Sequence, residues 1–288
     1  GGAGLYADQV SRAFHAEEYT ITPRKGEEFL LEREAAGFPN HVIFPVPVRN
    51  SKGVLVIPTV EGTMMLGPTA EVVEDKADTA TTQENLDRVF SQAMHMVPTI
   101  SQREIITAFS GSRPVLPGND FYIGVSKTAP GFLQVAGIQS PGLTASPAIA
   151  EYVKDLLKQD GLRLVEKPDY DPFLEPLPRV RTAPTEKLNA FVEGDPRYGN
   201  IVCRCESVSE AEIVEAIRRG HTTLDGIKFY TRAGMGRCQG GFCTYKILKL
   251  IARETGLPVE QVSKRGPGSE LVRGRIAPER LEEARQHA

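Results

Sequence analysis

The sequence predicts an α+β chain: a mixed sheet with helices over about the first 165 residues, then a small helical unit. Three observations predict it. Short β-branched and aromatic runs alternate with helix-period segments up to about residue 165. Pro168, Pro172, Pro176, Pro178, Pro184 and Pro196 then punctuate an extended connector. All the cysteines, Cys203, Cys205, Cys238 and Cys243, follow in a stretch that reads as helices. At 288 residues the prior is about two domains. The boundaries read as 1–165, connector 166–198, cysteine unit 199–255 and charged tail 256–288.

In chain order, Thr20–Thr22, Glu28–Glu32 and His41–Phe44 read as strands. Gly53–Ile57 and Thr63–Leu66 read as two strands around the turn at 58–62. Thr81–His95 reads as a helix, with Leu86, Val89, Phe90 and Met94 on one face. Ile105–Gly111 and Gly131–Ile138 are strands. Pro147–Lys158 is a helix with Pro147 in its first turn and Gly161 at its end. The connector is expected to pack on the first domain through Tyr170, Phe173 and Leu174. Ser209 caps a helix over Glu210–Arg219, Glu212 completes a capping box and Gly220 closes it. Thr222 or Thr223 caps a shorter helix, and Thr244–Thr255 forms a third.

Lys plus Arg is 34 and Asp plus Glu is 37, a net charge of -3, which argues against a nucleic-acid partner. The longest aliphatic run, Val54–Ile57, falls far short of the ~20 residues that span a bilayer. No signal-peptide pattern opens the sequence. The first 202 residues lack cysteine, which does not suit a disulfide scaffold. A cytoplasmic setting is expected, with membrane association only peripheral and through a partner.

Cys203 and Cys205 form a C-x-C pair, and Cys238 and Cys243 a C-x4-C pair. Soft thiolates in two pairs suit zinc or an iron–sulfur cluster. One intervening residue is tight for a zinc knuckle, and glycines at 234, 236, 240 and 241 let backbone approach a cluster. Zinc and a disulfide or empty site stay open on the residues alone. The run Ile201–Glu206, then Thr222–Lys228, then Gly234–Gly240 resembles the bacterioferritin-associated-ferredoxin-like 2Fe–2S domain. That resemblance implies a 2Fe–2S cluster on Cys203, Cys205, Cys238 and Cys243. The C-x4-C spacing is similar to the version appended to flavin dehydrogenases. Arg204, Lys228, Arg232 and Arg237 either offset the cluster's charge or form a solvated basic face.

Ala3–Asp8, Pro23–Glu27, Phe109–Pro114 and Val135–Thr144, taken in order, resemble the FAD-dependent D-amino-acid-oxidase-like superfamily. Within it the chain is similar to glycerol-3-phosphate dehydrogenases and L-2-hydroxyglutarate oxidases. The resemblance implies a partial flavoenzyme domain followed by the iron–sulfur domain. It also implies FAD contacts at Gly4, Gly137, Ile138, Gln139, Gly142, Leu143 and Thr144. Arg113 is implied to bind a small anionic substrate. His41 is the candidate acceptor for the substrate's hydroxyl proton, and His95 is expected only to pack or cap its helix.

The G-x-G-x-x-G turn that holds FAD pyrophosphate in such enzymes is not found in the sequence. The chain is therefore expected to be the later part of a longer enzyme and inactive alone. The leading reading is oxidation of glycerol 3-phosphate or a 2-hydroxy acid by FAD, with the cluster relaying electrons to a partner subunit. A structural docking cluster and an amine-oxidising flavoenzyme are the alternatives.

Overall fold

The computed structural model describes residues 2–33, 38–47, 52–173 and 176–274. The chain divides into two units, Gly1–Asp171 and Pro172–Ala288.

The first unit begins with a 3-10 turn at Gly4–Tyr6 and helix α1, Ala7–Ala13. Its sheet is organised on strand β1, Thr22–Leu31. On one edge β1 pairs with β3, Met64–Gly67, and β4, Glu71–Val72. Strand β2, Leu55–Pro58, extends the sheet beyond β3 through the expected hairpin. On the other edge β5, Ile105–Val115, follows β1 along its whole length. Every one of these pairings is antiparallel.

The two-residue period of a strand sorts β1 into two faces. Phe29 and Leu31 lie on one, with Met64 and Leu66 of β3, and they are buried under helix α2, Gln83–Met96. Val89, Phe90 and Ala93 of α2 complete that core. Each such burial is worth about 1.5–3 kcal/mol, so this core decides which face of the sheet is covered. Thr82 caps α2, accepting from the Asn85 amide at 3.3 Å. Buried Glu27 on the same face accepts from the Thr82 amide and the Asn85 side chain, both at 2.8 Å. The opposite face carries Arg24, Gly26 and Glu28.

A ribbon of β6, Tyr122–Val125, and β7, Leu133–Ala136, follows. Ala136 packs with Ala7, Ile21 and Leu116, which ties β7 to α1. Helix α3 then runs over Gly142–Gln159. It starts five residues before the predicted Pro147, which lies inside it. Proline lacks the N–H that would bond the Leu143 carbonyl. The Ser146 hydroxyl donates to that carbonyl instead, at 2.8 Å, so the helix accepts the proline. The expected strand at His41–Phe44 is reduced to a single bridge, Ile43 to Val56.

The second unit departs from the extended connector of the sequence reading. It holds helix α4, Thr185–Gly194, started by Pro184, and a 3-10 turn at Pro196–Gly199. Phe191 of α4 packs on Tyr198, ring centroids 5.2 Å apart. Tyr170 and Phe173 are exposed, and Leu174 lies outside the described residues. A small ribbon, β8 at Ile201–Cys203 and β9 at Val208–Ser209, leads into α5, Glu210–Arg218. The capping box is present: the Ser209 hydroxyl accepts from the Glu212 amide at 3.3 Å, and Glu212 accepts from the Ser209 amide at 2.8 Å. Thr223 caps α6, Leu224–Thr231, and α7 spans Thr244–Thr255 as predicted. Ile213, Ile227, Ile247 and Ile251 form the core, joined by Val262 from the predicted tail. Residues 275–288 of that tail lie outside the described residues. No described helix is long and apolar enough to cross a membrane.

Candidate functional site

The four cysteines line one cavity of about 310 Å³, together with Arg204, Phe242 and Lys246. Local structure places each of them. Cys203 ends β8, Cys205 lies in the turn to β9, Cys238 sits in the glycine-rich turns after α6, and Cys243 immediately precedes α7. All four are free. Cys203 and Cys243 are buried, whereas Cys205 is exposed and Cys238 half-buried.

The thiols associate two and two. The Cys243 thiol donates to Cys203, and Cys205 and Cys238 interact with each other. That bond, with help from the Gly234 and Glu206 amides, pulls Cys203 down to about 6 against the effect of burial. Cys243 is pushed up, by its bond to Cys203 and by burial. Cys238 is lowered by the Phe242 amide and, beyond its pairing with Cys205, by that of Gly240. Amides aimed at sulfur favour thiolates, the form that ligates metal. Among the described residues no three such side chains converge on one ion position. Four thiols lining one cavity supply the soft donors that a 2Fe–2S cluster or a zinc ion takes.

A Cβ at Gly236 would run into the Cys205 Cβ, so the cradle needs glycine there. Glu206 is buried next to Cys205 and takes Arg232 at 3.0 Å and Arg181 at 3.4 Å. Arg232 is thus committed to holding the loop, while Arg204 lines the cavity. Lys246 was missed in the sequence, although it lies one helical turn after Cys243.

In the first unit, Arg113 lies on the open face of the sheet, in register with Arg24. A Cβ at Gly26 would sit 2.7 Å from Arg113 Nη2, so the guanidinium lies directly over that glycine. Its nearest polar partner is the Thr69 carbonyl at 3.4 Å. Burial lowers the Arg113 pKa, Glu28 raises it and Arg24 lowers it again. Arg24 was missed as a site residue. It donates to Asn119 Oδ1 at 3.1 Å, and Gln139 donates to the same oxygen at 3.0 Å. This chain of contacts joins the sheet face to the loop after β7.

That loop gathers the glycine-rich segment. Gly137 has a φ of 68° and packs against Leu116, where a Cβ would collide. Gly142 leaves room for Ile138. Leu143 and Thr144 are exposed at the start of α3, which no side chain caps. Gly2 lies against Val135 of β7, so the turn bearing Gly4 borders the same strand. His41 is exposed. His95 bonds the Ser91 carbonyl at 2.7 Å, which agrees with a capping role on α2.

Residues 2–156 match the family model described as FAD dependent oxidoreductase. The chain belongs to that family. Residues 201–253 match the BFD-like 2Fe-2S binding domain, so this FAD-family chain carries an iron–sulfur domain as well. It is 40% identical over 274 residues to a glycerol 3-phosphate dehydrogenase of Caloramator mitchellensis, covering 94% of this chain and 57% of the relative. An anaerobic glycerol-3-phosphate dehydrogenase subunit A1 of Haloferax volcanii is 28% identical over 233 residues, covering 67% of this chain and 38% of that one. Among solved structures, the dithionite-reduced L-alpha-glycerophosphate oxidase of Mycoplasma pneumoniae with FAD bound gives a TM-score of 0.53 at 33% identity. That match covers 58% of this chain and 43% of the oxidase. The chain thus spans about half the length of these relatives.

Proposed function

We propose that this chain serves an FAD-dependent dehydrogenase that oxidises a small anionic alcohol, glycerol 3-phosphate or a 2-hydroxy acid. The observation that carries the reading is Arg113: a half-buried guanidinium without an ion pair among the described residues, on the open sheet face of an FAD-family fold. An arginine so placed grips a phosphate or carboxylate through two parallel hydrogen bonds. The relatives named for glycerol 3-phosphate favour the phosphate.

Bound FAD would accept a hydride, and a bound 2Fe–2S cluster would pass electrons on one at a time. Gly4, Gly137, Ile138, Gln139, Gly142, Leu143 and Thr144 are the residues we assign to the flavin side. The uncapped N-terminus of α3 favours negative charge there. Cys203, Cys205, Cys238 and Cys243 are assigned as the cluster ligands. Arg204 and Lys246, on the wall of the same cavity, offset its negative charge. The Haloferax relative is named as a subunit, which supports a partner subunit on the acceptor side.

The test is anaerobic addition of glycerol 3-phosphate, 2-hydroxy acids and secondary amino acids to the FAD-loaded holoenzyme that contains these residues. Bleaching of the flavin by the anionic alcohols supports the reading. Bleaching by the amines alone overturns it.

A further inference from the structure

Glu27 and Glu28 are neighbours in β1, yet strand alternation gives them opposite fates. Glu27 is fully buried and spends its carboxylate on the start of α2, at Thr82 and Asn85. Glu28 lies on the open face, across from Phe109 of β5 and two residues along the strand from Gly26. It makes no hydrogen bond or ion pair among the described residues.

Two glycines shape this part of the face. Gly26 gives the Arg113 guanidinium its place above β1. Gly67 does the same for Glu28: a Cβ there would stand 2.9 Å from Glu28 Cγ and 2.8 Å from the Glu27 carbonyl oxygen. The carboxylate and the guanidinium are close enough for each to shift the other's protonation, but they do not pair. A cation and a carboxylate that share one face without pairing offer a hydroxylated anion both of the contacts it needs. Its charged group meets the first and its hydroxyl the second.

We propose that Glu28 is the catalytic base that takes the hydroxyl proton of the alcohol whose anionic group Arg113 holds. The proposal rests on the alcohol-oxidising reading of this face. In the step, the O–H proton passes to the Glu28 carboxylate. The C–H bond breaks and its electron pair leaves as hydride to the FAD oxidant. The oxygen then forms the carbonyl double bond, so an alcohol becomes a ketone or aldehyde with two electrons and one proton accounted for. This is the role the sequence reading gave to His41. Burial raises the Glu28 pKa and Arg113 draws it partly back. The groups that face it are Arg113 and Phe109 on β5, Gly67 at the end of β3, and Arg24 farther along β1. The base form is populated above the raised pKa, so the rate should climb as pH rises through a value above the usual ~4.3 of a glutamate.

The experiment compares the FAD-loaded protein with Glu28→Gln and Glu28→Asp, using iron and FAD content to show that each variant is folded. Two quantities are read. One is the rate of flavin reduction by glycerol 3-phosphate against pH. The other is the binding preference for glycerol 3-phosphate over propyl phosphate, which lacks the hydroxyls, measured by calorimetry. Glu28→Gln should slow reduction by roughly 100-fold and flatten its pH profile. It should cut the hydroxyl preference by roughly ten-fold while leaving propyl phosphate binding unchanged. Glu28→Asp should restore part of the pH dependence. A Glu28→Gln protein reduced at the parental rate with the parental pH profile overturns the proposal and leaves the alcohol reading standing. A parental flavin reduced by no anionic alcohol overturns both.

Discussion

The cysteine cavity and the open sheet face draw their residues from the chain in different ways. The cavity takes its four thiols from two short segments, 203–205 and 238–243, each shaped by turns and a helix start of its own. The sheet face takes Arg24 and Glu28 from β1 and Arg113 from β5, and only strand register puts them side by side. One site is a local motif folded onto itself; the other is a product of long-range pairing. The first should be lost by removing one ligand and should be indifferent to the rest of the chain. The second should be sensitive to changes that shift a neighbouring backbone or side chain by an ångström.

The largest expected effect is on the cavity. Cys203→Ser removes a buried thiolate that accepts from Cys243 and two amides. Iron content should fall from about two per chain to background, with loss of the brown colour. FAD content should be unchanged, and a parallel loss of flavin would show that the two regions are not independent. Next in size is Arg113→Met. Loss of charge-assisted bonds to the substrate anion should raise KM by roughly 100-fold in steady-state assays, with the iron content intact.

Gly26→Ala sharpens the comparison further. The new methyl would meet the Arg113 guanidinium and, at 2.9 Å, the Pro68 ring. Displacing the guanidinium should raise KM about ten-fold without any change at the cluster. The smallest effect is expected for Ser209→Ala, which breaks the capping box of α5. It should cost about 1 kcal/mol, a fall of roughly 4–8 °C in the melting of the second unit, read by calorimetry. KM should not move.

The same contrast explains what could be read in advance. The Ser209–Glu212 box, a cap at Thr222 or Thr223 and the full extent of α7 were legible because their signals lie close in the chain to the structure they make, and the structure places the cap at Thr223. The cysteine pairs were legible for the same reason, and Lys246 could have been added from its helical spacing after Cys243. Arg24 and Glu28 were not, because their partners lie on β5, more than eighty residues away, and a one-residue change of register would turn them onto the α2 face. The early start of α3 was hidden by Pro147, whose cost is met by a neighbouring serine. Helix α4 was hidden by the surrounding prolines, although Pro184 followed by Thr185 and Glu186 is a helix-start pattern and Leu188, Phe191 and Val192 share one face.

In the proposed function, electrons from the substrate pass through FAD to the cluster held by the four cysteines. Anaerobic addition of glycerol 3-phosphate to the FAD- and iron-loaded protein, followed by low-temperature electron paramagnetic resonance, tests it most directly. The account predicts that substrate bleaches the flavin and then brings up the signal of a reduced 2Fe–2S cluster on the same chain. A flavin bleached to completion beside a cluster that stays oxidised, while dithionite reduces it readily, would contradict the claim and leave the cysteine domain a docking module.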